Sequence, residues 1–236
     1  MIKHILFDLD GTLLPMVQDE FTRFYLPMLA KNYVDAGLTN DPKALIGAVW
    51  TGFEAMVKNG GDRTNRDVFW ENFIKAMPMD REKAESTANA FYSGDFNKVI
   101  AATRPNPLAD KVVKTVRKKG IKAYLATNPV FPACATLNRV KWAGLDSSDF
   151  EIITTYEDSY YCKPNVKYFE EILKKFSIEP NECIMVGNDV SEDLVIRHLG
   201  VQTFLVTDTM ENKKNLPVDT EYQGSMADLL AFVESL

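Results

Sequence analysis

The sequence predicts an α/β fold in which a parallel sheet carries helices on both faces and an all-helical domain is inserted after the first strand. Three observations predict it. Short apolar runs end in polar or glycine-containing clusters, amphipathic segments of helical length separate them, and the stretch between Thr12 and Arg104 has little strand character.

The run Lys3 to Asp8 (KHILFD) reads as a buried first strand. The insert then opens with a helical pattern over Gln18 to Asp35, carried by Phe21, Phe24, Tyr25, Met28 and Leu29, with Pro27 a possible kink. Asp41-Pro42 starts a second helix, with proline in its first turn and Leu45, Val49, Phe53 and Val57 following. Asn59-Gly60-Gly61-Asp62 is a loop. Thr64 then caps a third helix whose first turn holds Asp67. Asp80 to Phe91 forms a fourth. Beyond Arg104 the alternation resumes. Helical segments span Pro107 to Lys119, Phe131 to Trp142, Asn165 to Phe176 and Val190 to Leu199, and Gly120, Gly144 and Gly200 stop three of them. Strands are expected at Ile121 to Ala126, Cys183 to Val186 and Thr203 to Val206, with a weaker one at Phe150 to Thr154 and a terminal helix over Met226 to Val233. The expected organisation is therefore a Rossmann-like core of residues 1–14 and 99–236 and a helical cap of residues 15–98. Insertion after the first strand places that cap over the C-terminal sheet edge, where open α/β folds bind ligands.

The chain has 236 residues, enough for a core domain and an attachment. Its formal net charge of -6, from 27 Lys and Arg against 33 Asp and Glu, argues against a dedicated nucleic-acid binder. Cys134, Cys162 and Cys183 are widely spaced beside apolar residues, and His4 and His198 are the two histidines, a poor set for zinc or a disulfide. No apolar stretch reaches membrane-spanning length and the N-terminus lacks a leader pattern, so a cytoplasmic protein is expected. Nothing in the sequence sets an oligomeric state.

Four polar clusters end elements of the predicted sheet. They are Asp8-Leu9-Asp10-Gly11-Thr12, Ala126-Thr127-Asn128, Lys163-Pro164 and Gly187-Asn188-Asp189-Val190-Ser191-Glu192-Asp193. Any one of them has an ordinary reading as a turn, cap or surface lysine. Together and in this order, the chain resembles the haloacid dehalogenase-like hydrolase superfamily over essentially its whole length, and the insert resembles that family's mobile cap of the first type.

The resemblance implies a phosphoryl-transfer site with a magnesium cofactor. Asp8 would attack phosphorus and form an aspartyl-phosphate, while Asp10 would alternate as acid and base. Thr127 and Asn128 would meet the phosphate or leaving group, and Lys163 would supply positive charge. Asp8, the main-chain carbonyl of Asp10, Asp189 and Asp193 would hold the cation, an oxygen-rich set suited to magnesium. One departure stands out. Many relatives follow the last glycine with aspartate, whereas here neutral Asn188 intervenes, so Asp189, Glu192 and Asp193 share the ligand role between two alignments. The family's dehalogenases lack an acid at Asp10, which directs the expectation to a phosphatase acting on a small phosphorylated metabolite. A phosphomutase, or an idle binding protein on this fold, is the alternative. Specificity candidates are Trp50, Glu54, Lys58 and Arg63 in the cap, with Met16 and Gln18 near the hinge, although Trp50, Phe53, Phe69 and Trp70 equally suit a cap core.

Overall fold

The first strand, β1 (His4–Phe7), runs straight into the loop that carries Asp8 and Asp10. The computed structural model describes residues 1–236. Four helices follow: α1 (Gln18–Asp35), α2 (Pro42–Val57), α3 (Asn65–Ala76) and α4 (Arg81–Ser93). Their starts follow local chemistry. The Asp41 side chain accepts from the amides of Lys43 and Ala44, Thr64 from Asp67 and Asp80 from Lys83. Pro27 lies within α1, which continues through it. A 3-10 segment at Asp95–Ala102 leads back to the core.

The core continues with α5 (Leu108–Lys118), β2 (Lys122–Leu125), α6 (Ala133–Trp142), α7 (Val166–Lys175), β3 (Cys183–Gly187), β4 (Gln202–Val206), β5 (Tyr222–Gly224) and α8 (Met226–Ser235). All pairings are parallel and the strand order is β2-β1-β3-β4-β5. Strand alternation sends successive side chains to opposite faces. Ile5, Phe7, Leu125, Ile184 and Val186 pack with α5, α6 and α8 residues such as Val112, Val140 and Leu229. Leu6, Tyr124, Cys183 and Met185 pack instead with Tyr168, Phe169, Ile172 and Leu173 of α7. Burial on both faces explains why these strands read as unbroken apolar runs. The order puts β1 beside β3 near the middle of the sheet, so the loops after them open side by side.

The cap leaves and rejoins the core through adjacent segments. Met16 bridges Thr103, and the Arg104 amide donates to the Pro15 carbonyl at 2.8 Å. A second anchor lies at the start of α3, where the first amides have no helical partner of their own. Asn65 N–H donates to Ser159 O and Arg66 N–H to Tyr156 O, each at 2.8 Å. Buried Asn65 also reaches the carbonyls of Pro129 and Tyr161 through its side chain.

Three elements differ from expectation. Phe150 to Thr154 forms no strand; it makes a single bridge, Ile153 to Leu125, along the outer edge of β2. Helix over Val190 to Leu199 is reduced to a 3-10 segment at Leu194–Leu199. Asp189 and Asp193 draw four nearby amides onto their side chains, and such bonds compete with the helical ladder. The edge strand β5 was not anticipated. It is three residues long and mostly exposed, without an apolar pattern to announce it. No helix is long and apolar enough to cross a membrane, and the three cysteines are free thiols.

Candidate active site

Asp8 sits one residue past β1, where its amide still donates to Val186 O in the sheet at 2.9 Å. Its carboxylate is almost wholly buried. Lys163 Nζ donates to Asp8 Oδ1 at 2.8 Å and to Asp193 Oδ1 at 2.7 Å. The Thr12 hydroxyl lies 3.1 Å from Asp8 Oδ2 and 3.0 Å from Asn188 Oδ1, a donor shared between the two. Lys163 is itself buried. Burial by itself would pull its pKa down, but the facing carboxylates of Asp193 and Asp8 outweigh that and hold it raised and protonated. Burial pushes Asp8 above the usual carboxylate range, with Lys163 pulling it back. Asp193 is pushed by burial to about 6, again opposed by Lys163.

The loop geometry depends on two glycines. Gly11 has φ +92° and lies against the Asn188 side chain, so a Cβ there would be strained and would collide with the amide. Gly187 lets the Asp193 carboxylate fold under the end of β3, in space a Cβ would occupy. There Asp193 Oδ2 accepts from the amides of Asn188 and Asp189, each at 3.0 Å. Both Asp193 oxygens are thus committed within the protein. Asp189 Oδ1 accepts from Ser191 N, Ser191 Oγ and Glu192 N. The side chain of Asn188, rather than that of Asp189, turns toward Thr12 and Asp8, as the alignment on Gly187 would have it.

Asn128 ties the second cluster to the third and fourth. Its Oδ1 accepts from Lys163 N–H at 3.2 Å and its Nδ2 donates to Glu192 Oε2 at 3.0 Å. Burial, partly offset by Lys163, pushes Glu192 up to about 8. Thr127 is buried beside them, its carbonyl held by the hydroxyls of Thr154 and Tyr168. A cavity of about 310 Å³ brings together Asp8, Asp10, Thr127, Asn128, Asp189 and Asp193. Every residue of the expected set therefore lies at one place, with Lys163 beneath it.

Arg139 was missed. It is fully buried on α6, pairs with Asp10 Oδ2 and stands 4.2 Å over the Phe131 ring. Its Nη2 also donates to Thr136 Oγ1 at 3.2 Å. In sequence it is one more basic residue near a helix C-terminus; a basic residue facing the apolar stripe was the available signal. Asp10 Oδ1 is buried without a hydrogen-bond partner. Burial raises the Asp10 pKa, and Arg139 pulls it back.

The cap candidates separate. Gln18 and Phe53 reach the carboxylate cavity. Glu54 and Lys58 pair with each other on the exposed surface, and Arg63 pairs with Glu71 away from the site. Trp50 lines a neighbouring cavity, while Met16 is buried at the hinge.

Comparison with known proteins agrees with this arrangement. The chain is 26% identical to a glyceraldehyde 3-phosphate phosphatase of Methanocaldococcus jannaschii, over 100% of this chain and 99% of that one. It is 25% identical to the pyrophosphatase PpaX of Anoxybacillus flavithermus, over 98% and 97%. The crystal structure of CbbY from Rhodobacter sphaeroides, in complex with phosphate, shares the fold with a TM-score of 0.62 and 14% identity, over 97% and 96%. The family model described as haloacid dehalogenase-like hydrolase matches residues 2–196, and this chain belongs to that family.

Proposed function

We propose that this hydrolase is a magnesium-dependent phosphatase that cleaves a small phosphate monoester through an aspartyl-phosphate on Asp8. The observation that carries this reading is the pairing of Asp8 with buried Lys163 beside a second acid, Asp10, whose Oδ1 has no partner. Lys163 offsets the repulsion between a carboxylate nucleophile and an anionic ester. Asp8 forms a bond to phosphorus as the bond to the leaving oxygen breaks. Burial favours the protonated form of Asp10, which suits it to give its proton to that oxygen. Asp10 then takes a proton from water as the water releases phosphate from Asp8. Thr127 and neighbouring amides would hold the phosphate oxygens. Similarity to a glyceraldehyde 3-phosphate phosphatase and to a pyrophosphatase agrees with the reading.

The donor set fits a hard cation. No three His, Cys, Asp or Glu side chains converge on one point. Magnesium commonly takes only one or two carboxylates and completes its shell with other oxygens and water. Asp8 Oδ2, the Asp10 main-chain carbonyl and Asn188 Oδ1 would hold it here, with Asp189 at the cavity wall. Asp193, whose oxygens are already used, would position Lys163 and the loop. Bound there, the ion would orient Asp8 and draw charge from the phosphate.

A phosphate-release screen over small esters, with and without magnesium, tests the reading. Asp8→Asn should lower turnover by at least about a thousandfold. Undiminished turnover in that variant would rule out the covalent route, and isomerised sugar phosphate with little free phosphate would indicate a mutase.

A further inference from the structure

Beside the carboxylate cavity lies a second, larger one of about 390 Å³ between the cap and the core. The two share Gln18, Phe53, Val130, Phe131 and Lys213, so they meet along a common wall. Their chemistry differs sharply. Sixteen of the 22 residues lining the larger cavity are hydrophobic, against 3 of 17 for the carboxylate cavity. Its walls include Tyr25, Leu29, Val49, Met56, Trp70 and Tyr156. Two polar groups on these walls turn to protein partners: Tyr33 OH donates to Ala84 O at 2.6 Å, and Trp70 Nε1 donates to Tyr156 OH at 3.3 Å. The charged residues Asp19, Arg23 and Lys213 are bonded among themselves, Arg23 to the Asp19 carbonyl and Lys213 to its carboxylate.

We infer that this chamber receives the leaving group of the substrate, and that the leaving group is apolar: an aromatic ring system or a long alkyl chain on the phosphate ester. The inference rests on the reading of the carboxylate cavity as a phosphate-ester site. The chamber adjoins, through five shared lining residues, the one place where a scissile ester would sit. A cavity of about 150 Å³ suffices for benzene, so this one has room for a group of about two rings. A triose or a second phosphate would instead set most of its hydroxyls or charge against a lining in which 16 of 22 residues are hydrophobic. The chamber thus distinguishes this chain's substrate from those that its relatives' names describe.

The test is a series of n-alkyl phosphates from ethyl to octyl, assayed with magnesium, since these share one leaving-group chemistry and differ in apolar length. The kcat/KM should rise about fourfold per methylene until the chamber is filled, and octyl phosphate should exceed glycerol phosphate. Ala88→Phe, which fills the chamber from α4, should flatten the series beyond its shortest members. A second measurement needs neither a variant nor turnover. Naphthylmethylphosphonate should bind the parent protein at least about a hundredfold more tightly than methylphosphonate. Absence of hydrolysis with tight naphthyl binding would sink the phosphatase reading and leave the chamber standing. A flat alkyl series, a preference for glycerol phosphate, or equal binding of the two phosphonates would overturn the apolar leaving group.

Discussion

Replacing Lys163 with methionine keeps most of the volume of a buried side chain and removes the one cation held between Asp8 and Asp193. At 2.8 and 2.7 Å, and with an effective dielectric of about 20, each lost attraction amounts to about 6 kcal/mol before desolvation is counted. Desolvation of the ammonium returns much of this, and removal of one buried partner typically costs about 3–5 kcal/mol net. The stranded carboxylates limit the damage by taking up protons. Neutralising one acid of ordinary pKa costs about 4 kcal/mol at pH 7 but only about 1.5 kcal/mol at pH 5. The sign follows directly. In the variant the folded-state carboxylates rise further above their unfolded value, so the folded state binds more protons and stability falls as pH increases. The parent already has a shallower slope of the same sign, because Asp193 sits at about 6. Urea denaturation without magnesium should therefore show Lys163→Met destabilised by about 3–5 kcal/mol at pH 7 and by about 1–3 kcal/mol less at pH 5. A loss below about 1 kcal/mol at pH 7, or one identical at both pH values, would refute the claim that Lys163 holds these two charges.

Three further outcomes are expected. Arg139→Met removes the cation that pulls Asp10 down, so the basic limb of the pH–rate profile should move up by about one unit or more; an unmoved limb would count against Asp10 as the titrating acid. Asn188→Asp adds charge beside Thr12 and Asp8, and magnesium titrations should show half-activation at about tenfold lower concentration, whereas an unchanged or higher requirement would remove Asn188 from the cation site. For Glu192, folded near 8 against 4.5 unfolded, the folded state keeps a proton that the unfolded state releases. Stability of the metal-free protein should accordingly fall from pH 4.5 to 8, and Glu192→Gln should flatten that slope in thermal melts; a slope that survives the substitution would assign it elsewhere.

The legible part of this molecule is the part written in local pattern. Apolar runs at β1 to β4 announced strands because both faces of the sheet are buried, and Asp41 and Thr64 announced helices because caps bond within three residues. Asp8, Asp10, Thr127 and Lys163 stood out because strand-end clusters in that order resemble a known site. The stretch from Val190 was misread as helix because its hydrophobic period persists while two aspartates divert its amides, a competition decided by where Gly187 and Lys163 lie. Arg139 and Asp10 are 129 residues apart, and Lys163 and Asp8 are 155 apart. By itself, then, the sequence determined most of the elements and the order in which the polar clusters follow the strands. Only the tertiary structure decided which acid Lys163 serves besides Asp8, which cation restrains Asp10, and that an apolar chamber adjoins them. Those features arise from burial and contact between segments distant in the chain, and no local periodicity encodes the distance at which two buried charges meet.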